Sequence, residues 1–159
     1  VEKGLREIMA KGILTGSKVV DVKVTLFDGT YHPVDSDEVS FKIAASQAFK
    51  KGFLEAKPVI LEPIYDVTVK IPEEFMGDVM GDISSRRGKI QGMDSESPFQ
   101  IIKAKIPLAE LHKYSTQLRS LTSGRGMFTM SFSHYEEVPK EIEAKIIEEY
   151  QKQKEEEAE

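Results

Sequence analysis

The chain has 159 residues, of which 40% are apolar, and a formal net charge of −5. It contains no cysteine, which excludes disulfide bonds, cysteine-ligated zinc, iron–sulfur clusters and thiol catalysis. No apolar run approaches the roughly 18–20 residues that a membrane span requires, so we expect a soluble cytoplasmic protein with one domain or two small ones.

Charge is distributed unevenly along the sequence. Residues 84–125 hold eight basic and three acidic side chains, a net charge of +5, whereas the segments on either side are acidic. A basic segment in an acidic chain can mark contact with a polyanion, although a solvated face of mixed charge gives the same composition. The acidic balance of the whole chain argues against non-specific nucleic-acid binding but allows a local basic patch on structured RNA.

The first part of the chain is predicted to hold a helix followed by a strand. Apolar residues at helical spacing predict a helix over residues 2–11, with Gly12 as its stop. No residue is available to cap the start of this helix, and we expect the chain to come from a longer protein. Strict apolar alternation over residues 19–27 predicts a strand, after which Asp28-Gly29 turns the chain.

A capped helix is predicted next. Asp35 is expected to cap it, and Glu38, three positions on, completes a capping-box pattern. The helix should run to about Leu54 and lie on a sheet through one narrow stripe of apolar and small residues. The stripe consists of Phe41, Ala45, Ala48, Phe49 and Gly52.

Pro63 is a predicted domain boundary at the end of a short strand over residues 59–63. Beyond it the pattern predicts the order β-α-β-β-α-β, with helices that begin at Pro72 and Pro107, and then a charged helix from Pro139. The four strands cover residues 64–71, 89–93, 99–106 and 127–135. This order is the split βαβ, ferredoxin-like pattern, an antiparallel four-stranded sheet with two helices on one face.

Two glycines are unexpected inside the helix that begins at Pro72. Gly77 and Gly81 lie one turn apart, and a glycine in a helix interior costs roughly 1 kcal/mol. We therefore expect them to let the helix backbone approach the sheet closely. Met76, Val79 and Ile83 are the predicted inward-facing residues of this helix.

Sequence motifs of enzymatic chemistry are missing. The chain has no G-x-x-x-x-G-K-[ST] phosphate-binding loop, no H-E-x-x-H zinc motif and no G-x-S-x-G elbow. Its three histidines, His32, His112 and His134, are far apart, and the sequence identifies no partner for the last two. We expect no catalytic residue and no metal ligand in this chain.

A candidate recognition loop lies between the predicted strand and the capped helix. Tyr31, His32 and Pro33 place an aromatic ring, an imidazole and a proline in succession, and such groups suit stacking on RNA and hydrogen bonding to it. A rigid turn is the simpler account of the same residues. A metal or acid–base cluster of His32 with Asp35 and Asp37 is disfavoured, because the helix start already explains the two carboxylates.

A second candidate site is the basic run Arg86-Arg87-Gly88-Lys89. The negative end of a helix dipole can account for one arginine. Two arginines in succession followed by Lys89 exceed that need, and a guanidinium offers paired planar donors that match a phosphate. Phosphate contact is therefore a reasonable hypothesis for Arg86, Arg87 and Lys89.

Five stretches closely resemble bacterial translation elongation factor G. They cover residues 27–32, 41–52, 56–63, 76–88 and 128–139. They occur in the order expected for that family, and the resemblance runs from residue 1 to about residue 150. It corresponds to the second half of domain IV followed by all of domain V.

The resemblance implies an α+β fold. Residues 1–63 would be the C-terminal half of domain IV, with a βαβ element of a ribosomal-protein-like two-layer fold. Residues 64–139 would be the ferredoxin-like βαββαβ domain V, and residues 140–159 a charged C-terminal helix or tail.

The resemblance also implies a function in tRNA–mRNA translocation. Domain IV of such factors enters the decoding region of the small ribosomal subunit, and the histidine of its tip loop matches His32, flanked by Tyr31 and Pro33. Domain V docks on the large subunit, with Arg86, Arg87 and Lys89 as expected contacts to ribosomal RNA. GTP and magnesium would bind in a GTPase domain that this sequence lacks. The expected partners are the ribosome, its RNA and proteins, and the tRNA–mRNA complex, without membrane or DNA.

Two alternatives stay open. A paralogous ribosomal GTPase that acts in ribosome recycling or ribosome protection would share the same architecture. Pro33, where the family commonly has an acidic residue, and the 94–98 turn, which lacks basic and glycine-rich character, would fit such a paralogue. A stand-alone enzyme on a ferredoxin-like scaffold, such as an acyl-phosphate hydrolase, lacks a visible nucleophile–base pair.

Overall fold

A computed structural model describes residues 1–158 of the chain, which form two compact units. The first unit comprises residues 1–59 together with the chain from Pro139 onward, and the second comprises residues 60–138. Among the described residues, no helix combines the length and the hydropathy that a membrane span requires.

The described part of the first unit contains three helices. They are α1 (Glu2–Lys11), α2 (Glu38–Glu55) and α5 (Lys140–Glu156), and the first of them confirms the helix predicted over residues 2–11. Helices α1 and α2 cross closely at Gly4, where a Cβ atom would lie 2.7 Å from the carbonyl oxygen of Lys42. The absence of a side chain at Gly4 therefore lets the two backbones meet.

The prediction of a strand over residues 19–27 is wrong. These residues adopt no strand in the structure, and the four residues of the alternating apolar face are at least 40% exposed. That face consists of Val20, Val22, Val24 and Leu26. A strand is stable only when a neighbouring strand accepts and donates its backbone hydrogen bonds, and no described residue of the first unit supplies such a neighbour.

Helix α2 begins later than predicted. Asp37, not Asp35, is its N-cap, and the Asp37 carboxylate accepts a hydrogen bond of 2.6 Å from the backbone N–H of Ser40. This bond lowers the pKa of Asp37. Asp35 instead belongs to the preceding turn, where its N–H donates to the carbonyl of His32. The predicted capping box is absent because Glu38 is already the first helical residue.

The apolar stripe of α2 is only partly confirmed. Ala45 is buried and Phe41 and Phe49 are half-buried, whereas Ala48 and Gly52 are exposed. Residues 1–58 contribute no strand that could form the expected sheet beneath this helix, and α2 packs on α1 instead.

The second unit is a four-stranded antiparallel sheet with two helices, as predicted. Its strands are β1 (Leu61–Pro72), β2 (Lys89–Glu96), β3 (Phe99–Pro107) and β4 (Met127–Glu137). The strand order β2-β3-β1-β4 confirms the ferredoxin-like arrangement. The sequence predicted two strands that meet at Pro63, but β1 continues through this residue, with a register shift against β4 at Ile64/Tyr65.

The two helices of this unit are shorter than predicted. Helix α3 (Met76–Ser85) follows a 3₁₀ turn over Glu73–Phe75, and α4 (Tyr114–Leu121) follows one over Leu108–Leu111. Lys113 separates the second turn from α4 because it adopts a left-handed backbone with φ of 54°. The core lies between sheet and helices and consists of Val67, Val69, Ile71, Val79, Ile83, Ile102, Ala104, Ile106, Tyr114 and Leu118.

The predicted role of Gly77 and Gly81 is wrong. Both are exposed, and a Cβ atom at either position would meet nothing within 4 Å. The close approach occurs at Gly88 instead, where a Cβ atom would lie 2.5 Å from Cγ2 of Ile83 and 3.2 Å from Cγ1 of Ile106. Gly88 therefore lets the chain leave α3 directly over the core.

Tyr114 is buried in this core, and its hydroxyl has no hydrogen-bond partner among residues 1–158. Its ring meets the ring of Phe128 edge-on, with centroids 4.9 Å apart. Burial, reinforced by the charge of Asp82 and opposed by that of Arg86, raises the pKa of Tyr114 to about 12. The folded state therefore favours the neutral phenol.

Two alanine substitutions should have opposite effects on stability. Gly81→Ala adds a methyl group in open space to a helix interior and should stabilise the chain by about 0.5–1 kcal/mol. Gly88→Ala forces a Cβ against Ile83 and should destabilise it by about 1–3 kcal/mol. Urea unfolding of both variants checks this, and equal effects of the same sign would contradict the assignment of the close approach to Gly88.

Tyr114→Phe should change the dependence of stability on pH. The unfolded tyrosine ionises near pH 10.0, whereas the folded one stays neutral to about pH 12. The contribution of the neutral Tyr114 phenol to the free energy of unfolding is therefore complete below pH 10.0 and is lost as the pH rises between these two values. The difference in unfolding free energy between wild type and Tyr114→Phe should therefore shift in favour of the variant from about pH 9 to about pH 11. A constant difference would show that the phenol is not buried.

Candidate functional site

The structure places Tyr31, His32 and Pro33 in an exposed loop that precedes α2. Tyr31 is 69% exposed, and the His32 side chain is 66% exposed. The loop is held by its own hydrogen bonds, because the N–H of His32 donates to the Ser36 hydroxyl at 2.7 Å. His32 Nδ1 lies 3.5 Å from a carboxylate oxygen of Asp35. The turn thus presents an imidazole and a phenol to solvent.

The loop is suited to contact rather than to catalysis. An outward imidazole can donate or accept a hydrogen bond, and an outward phenol can stack on a base. Within residues 1–158, no group of three acidic or histidine side chains is arranged to hold a metal ion. Asp37, which the sequence placed near His32, is engaged in capping α2.

Arg86 faces inward at the end of α3. Its side chain is 17% exposed, and its Nε donates to Asp82 at 2.9 Å. Nη1 donates to the carbonyl of Glu110, and the guanidinium lies over the ring of Tyr114, 5.0 Å from its centroid. Arg86 therefore joins α3 to the segment that precedes α4.

Arg87 forms the most extensive ion pair of the second unit. Its Nη1 and Nη2 donate to the two carboxylate oxygens of Glu62 at 2.7 and 2.9 Å, and its Nε donates to Glu110 at 2.9 Å. The Glu62 side chain is only 13% exposed. These bonds raise the pKa of Arg87 above its ordinary value, and they fix a left-handed residue with φ of 57° at the exit of α3.

Lys89 differs from the two arginines. Its side chain is 70% exposed, and its ion-pair partner among the described residues is Glu136, at 3.5 Å. A lysine in this state can exchange its carboxylate for another anion at little cost. Of the three residues predicted to contact RNA, Lys89 is the one whose charge is available without breaking a short intramolecular bond.

Two other cations of the basic 84–125 segment are paired with carboxylates that lie outside it. Lys105 contacts Asp66 and Arg125 contacts Glu74, whereas Lys103 contacts Asp94 within the segment. The net charge of a continuous segment misses this compensation, because folding brings acids from outside the segment to its basic side chains. The segment therefore carries much less free positive charge than its composition suggests.

His134 has partners that the sequence analysis missed. Its Nδ1 lies 2.8 Å from the Ser133 hydroxyl and its Nε2 lies 2.8 Å from Glu136. The His134 hydrogen bond, helped by Lys89, lowers the pKa of Glu136. Ser133 is the extra residue at the register shift between β1 and β4, and this bulge lets neighbouring side chains meet. Strict alternation along the strand hides such a contact.

Comparison with known proteins assigns a family to both units. Residues 1–57 match the model described as elongation factor G, domain IV, and residues 59–146 match the model described as elongation factor G C-terminus. An elongation factor G from Aquifex pyrophilus is 56% identical over 147 residues, which are 92% of this chain and 21% of that protein. A crystal structure of a protein from Thermus thermophilus shares 45% identity and has a TM-score of 0.83.

The structural match covers 95% of this chain and 23% of the Thermus chain, so this chain spans less than a quarter of the length of the relatives that it matches. The two consecutive family matches and the identity to the Aquifex factor agree with each other. The chain belongs to the elongation factor G family of translation elongation factors, of which it carries domain IV sequence followed by the C-terminus.

Proposed function

We propose that this chain is the ribosome-contacting end of a translational GTPase that promotes movement of tRNA and mRNA during protein synthesis. The observation that carries the proposal is the exposed imidazole of His32, held outward on a hydrogen-bonded turn in a chain of the elongation factor G family. In this proposal Tyr31, His32 and Pro33 contact the decoding region of the small subunit.

The joined helices α1 and α2, which carry the loop, suit a mechanical role. The loop leads directly into α2, whose start is fixed by the Asp37 cap and whose flank is locked to α1 at Gly4. Ion pairs between Lys3 and Glu38 and between Lys42 and Glu7 also join the two helices. A displacement of the helix pair would therefore carry the loop with it as one piece.

The energy for this movement would come from outside this chain. The sequence contains no phosphate-binding loop, and we propose that GTP and magnesium bind in another domain of the complete factor. This chain would hold no cofactor and catalyse no reaction of its own. We further propose that it works in the cytoplasm on RNA and ribosomal proteins, without membrane or DNA.

The second unit is proposed to contact ribosomal RNA through the end of α3. Lys89 supplies the accessible charge. Arg86 and Arg87 hold the backbone that presents it, because their guanidinium groups are bound to Asp82, Glu62 and Glu110. Direct phosphate contact by the arginines would use the guanidinium N–H groups that are not bonded to these carboxylates or to the Glu110 carbonyl.

A paralogous factor that acts in ribosome recycling or protection is the second candidate. The residue after the tip histidine, Pro33, is the observation that favours it, since proline removes a backbone donor and fixes φ where an acidic side chain is common. Translocation, subunit-splitting and antibiotic-protection assays with the complete factor separate these candidates.

His32→Ala in the complete factor should slow single-turnover translocation while GTP hydrolysis persists. Loss of one hydrogen bond to a charged RNA group, about 1.5–3 kcal/mol, corresponds to a roughly 10- to 150-fold slower step. His112→Ala, which removes another exposed histidine, is the matched control. Equal translocation rates for His32→Ala and wild type would remove His32 from the proposed contact.

Arg87→Ala and Lys89→Ala should affect different properties. Arg87→Ala leaves Glu62 without its partner and should destabilise the chain by about 1–3 kcal/mol in urea unfolding, an effect that Glu62→Gln partly reverses. Lys89→Ala should leave stability within about 0.5 kcal/mol of wild type. Equal losses of stability for the two variants would contradict the structural role of Arg87.

In ribosome binding, Lys89→Ala in the complete factor should weaken affinity and lower the slope of log K against log salt by about 0.7–0.9. Lys145→Ala, which removes an exposed lysine of the first unit, serves as the control. An unchanged slope for Lys89→Ala would exclude Lys89 from phosphate contact.

A further inference from the structure

The first unit contains a cleft of about 340 Å³ between its helices. Three lysines from three different helices line it, Lys11 of α1, Lys50 of α2 and Lys154 of α5. The rest of the lining consists of Ile8, Gly12, Ile13 and Tyr150. We call this feature the lysine cleft.

The cleft is shaped by backbone that only glycine adopts easily. Gly12 and Gly16 both have a left-handed φ, of 73° and 68°, and they turn the chain back after α1. A Cβ atom on Gly16 would lie 2.9 Å from the hydroxyl of Tyr150. The turn is therefore fitted around the Tyr150 side chain, and Lys154 lies over the same ring, 5.3 Å from its centroid.

The three lysines of the cleft form no ion pair with any carboxylate in the described part of the chain, as is also true of Lys18, Lys51 and Lys145, but only the three cleft lysines share one cleft. Ammonium groups that line the same cleft repel each other, more strongly beside apolar side chains than in open water. An anion bound among them would relieve that repulsion.

Helix dipoles explain only part of this arrangement. Lys11 and Lys154 lie in the last turns of α1 and α5, where a cation is favourable in any case. Lys50 lies within α2 and outside its last turn, so the dipole of that helix does not account for its position.

We propose that the lysine cleft binds a phosphate group of an RNA backbone. The three ammonium groups would surround the phosphate. The choice of RNA over free phosphate, which shares the same chemistry, rests on the proposed ribosomal function. The cleft would thus be an RNA contact separate from the His32 loop and from Lys89.

The direct test measures binding of a fluorescently labelled single-stranded RNA, about 12 nucleotides long, to the 159-residue chain by anisotropy, from about 50 to about 200 mM salt. The variant Lys11→Gln/Lys50→Gln/Lys154→Gln should lose at least about tenfold in affinity, and its salt slope should fall by about 2. The control Lys18→Gln/Lys51→Gln/Lys145→Gln makes the same charge change at lysines that do not line the cleft and should lose less than about threefold.

Circular dichroism melting shows whether the variants fold. If the triple variant does not fold, the single charge reversal Lys50→Glu at an exposed position replaces it, with Lys51→Glu as its control. Equal losses for cleft and control variants, or no RNA binding by the wild-type chain at about 50 mM salt, would overturn the proposal.

Competition distinguishes the source of the phosphate. Pyrophosphate and a poly-glutamate peptide of the same length as the RNA are titrated against the chain and against the cleft variant. Stronger binding of RNA than of either competitor supports an RNA site. Tight pyrophosphate binding without RNA binding, or equal binding of the peptide, overturns the assignment to RNA.

The same three substitutions in the complete factor separate this inference from the proposed function. Weaker ribosome binding by the cleft variant than by its control supports the inference. If ribosome affinity is unchanged while His32→Ala slows translocation, the cleft inference fails and the proposed function stands. If neither set of changes has an effect, both fail.

Discussion

Backbone pairing of β1 on both of its edges is the constraint on which the second unit depends. β1 pairs with β3 over residues 64–72 and with β4 over residues 61–70. Its alternate side chains, including Val67, Val69 and Ile71, are thereby directed at the helices and removed from water. At its start, Glu62 holds Arg87 and so ties the exit of α3 to the sheet. Strand pairing, core packing and the main ion pair thus meet on one strand.

The first unit shows what happens when a segment with a strand pattern lacks a neighbouring strand. Residues 19–27 alternate as clearly as β1 does, yet they form no strand, because a strand is defined by the hydrogen bonds of its neighbours and not by its own pattern. Helices α1 and α2 form in the same unit because their backbone hydrogen bonds are internal. The loop that carries His32 leads into α2, a helix that forms its backbone hydrogen bonds without a partner element.

Positive charge in this chain has two uses. Arg86 and Arg87 are engaged in internal bonds that shape the end of α3, while Lys89 and the lysines of the cleft stay accessible. About half of the lysines and arginines form an ion pair with a carboxylate in the described part of the chain, so the charge count overstates the free positive charge. The pairing pattern, not the charge count, therefore indicates where a polyanion could bind.

The sequence by itself determined the family resemblance, the order of elements in the second unit and the inward face of α3. These follow from local periodicity and from turn residues, and Val79 and Ile83 are buried as predicted. Only the tertiary structure decided which glycine allows close packing, which aspartate caps α2, and which arginine donors are occupied. It also brought together Ser133, His134 and Glu136, and the three lysines of the cleft. The glycine contact, the arginine pairs and the cleft depend on which distant residues lie nearby, and the Asp37 cap and the His134 contacts depend on local backbone geometry; periodicity along one chain carries no information about either.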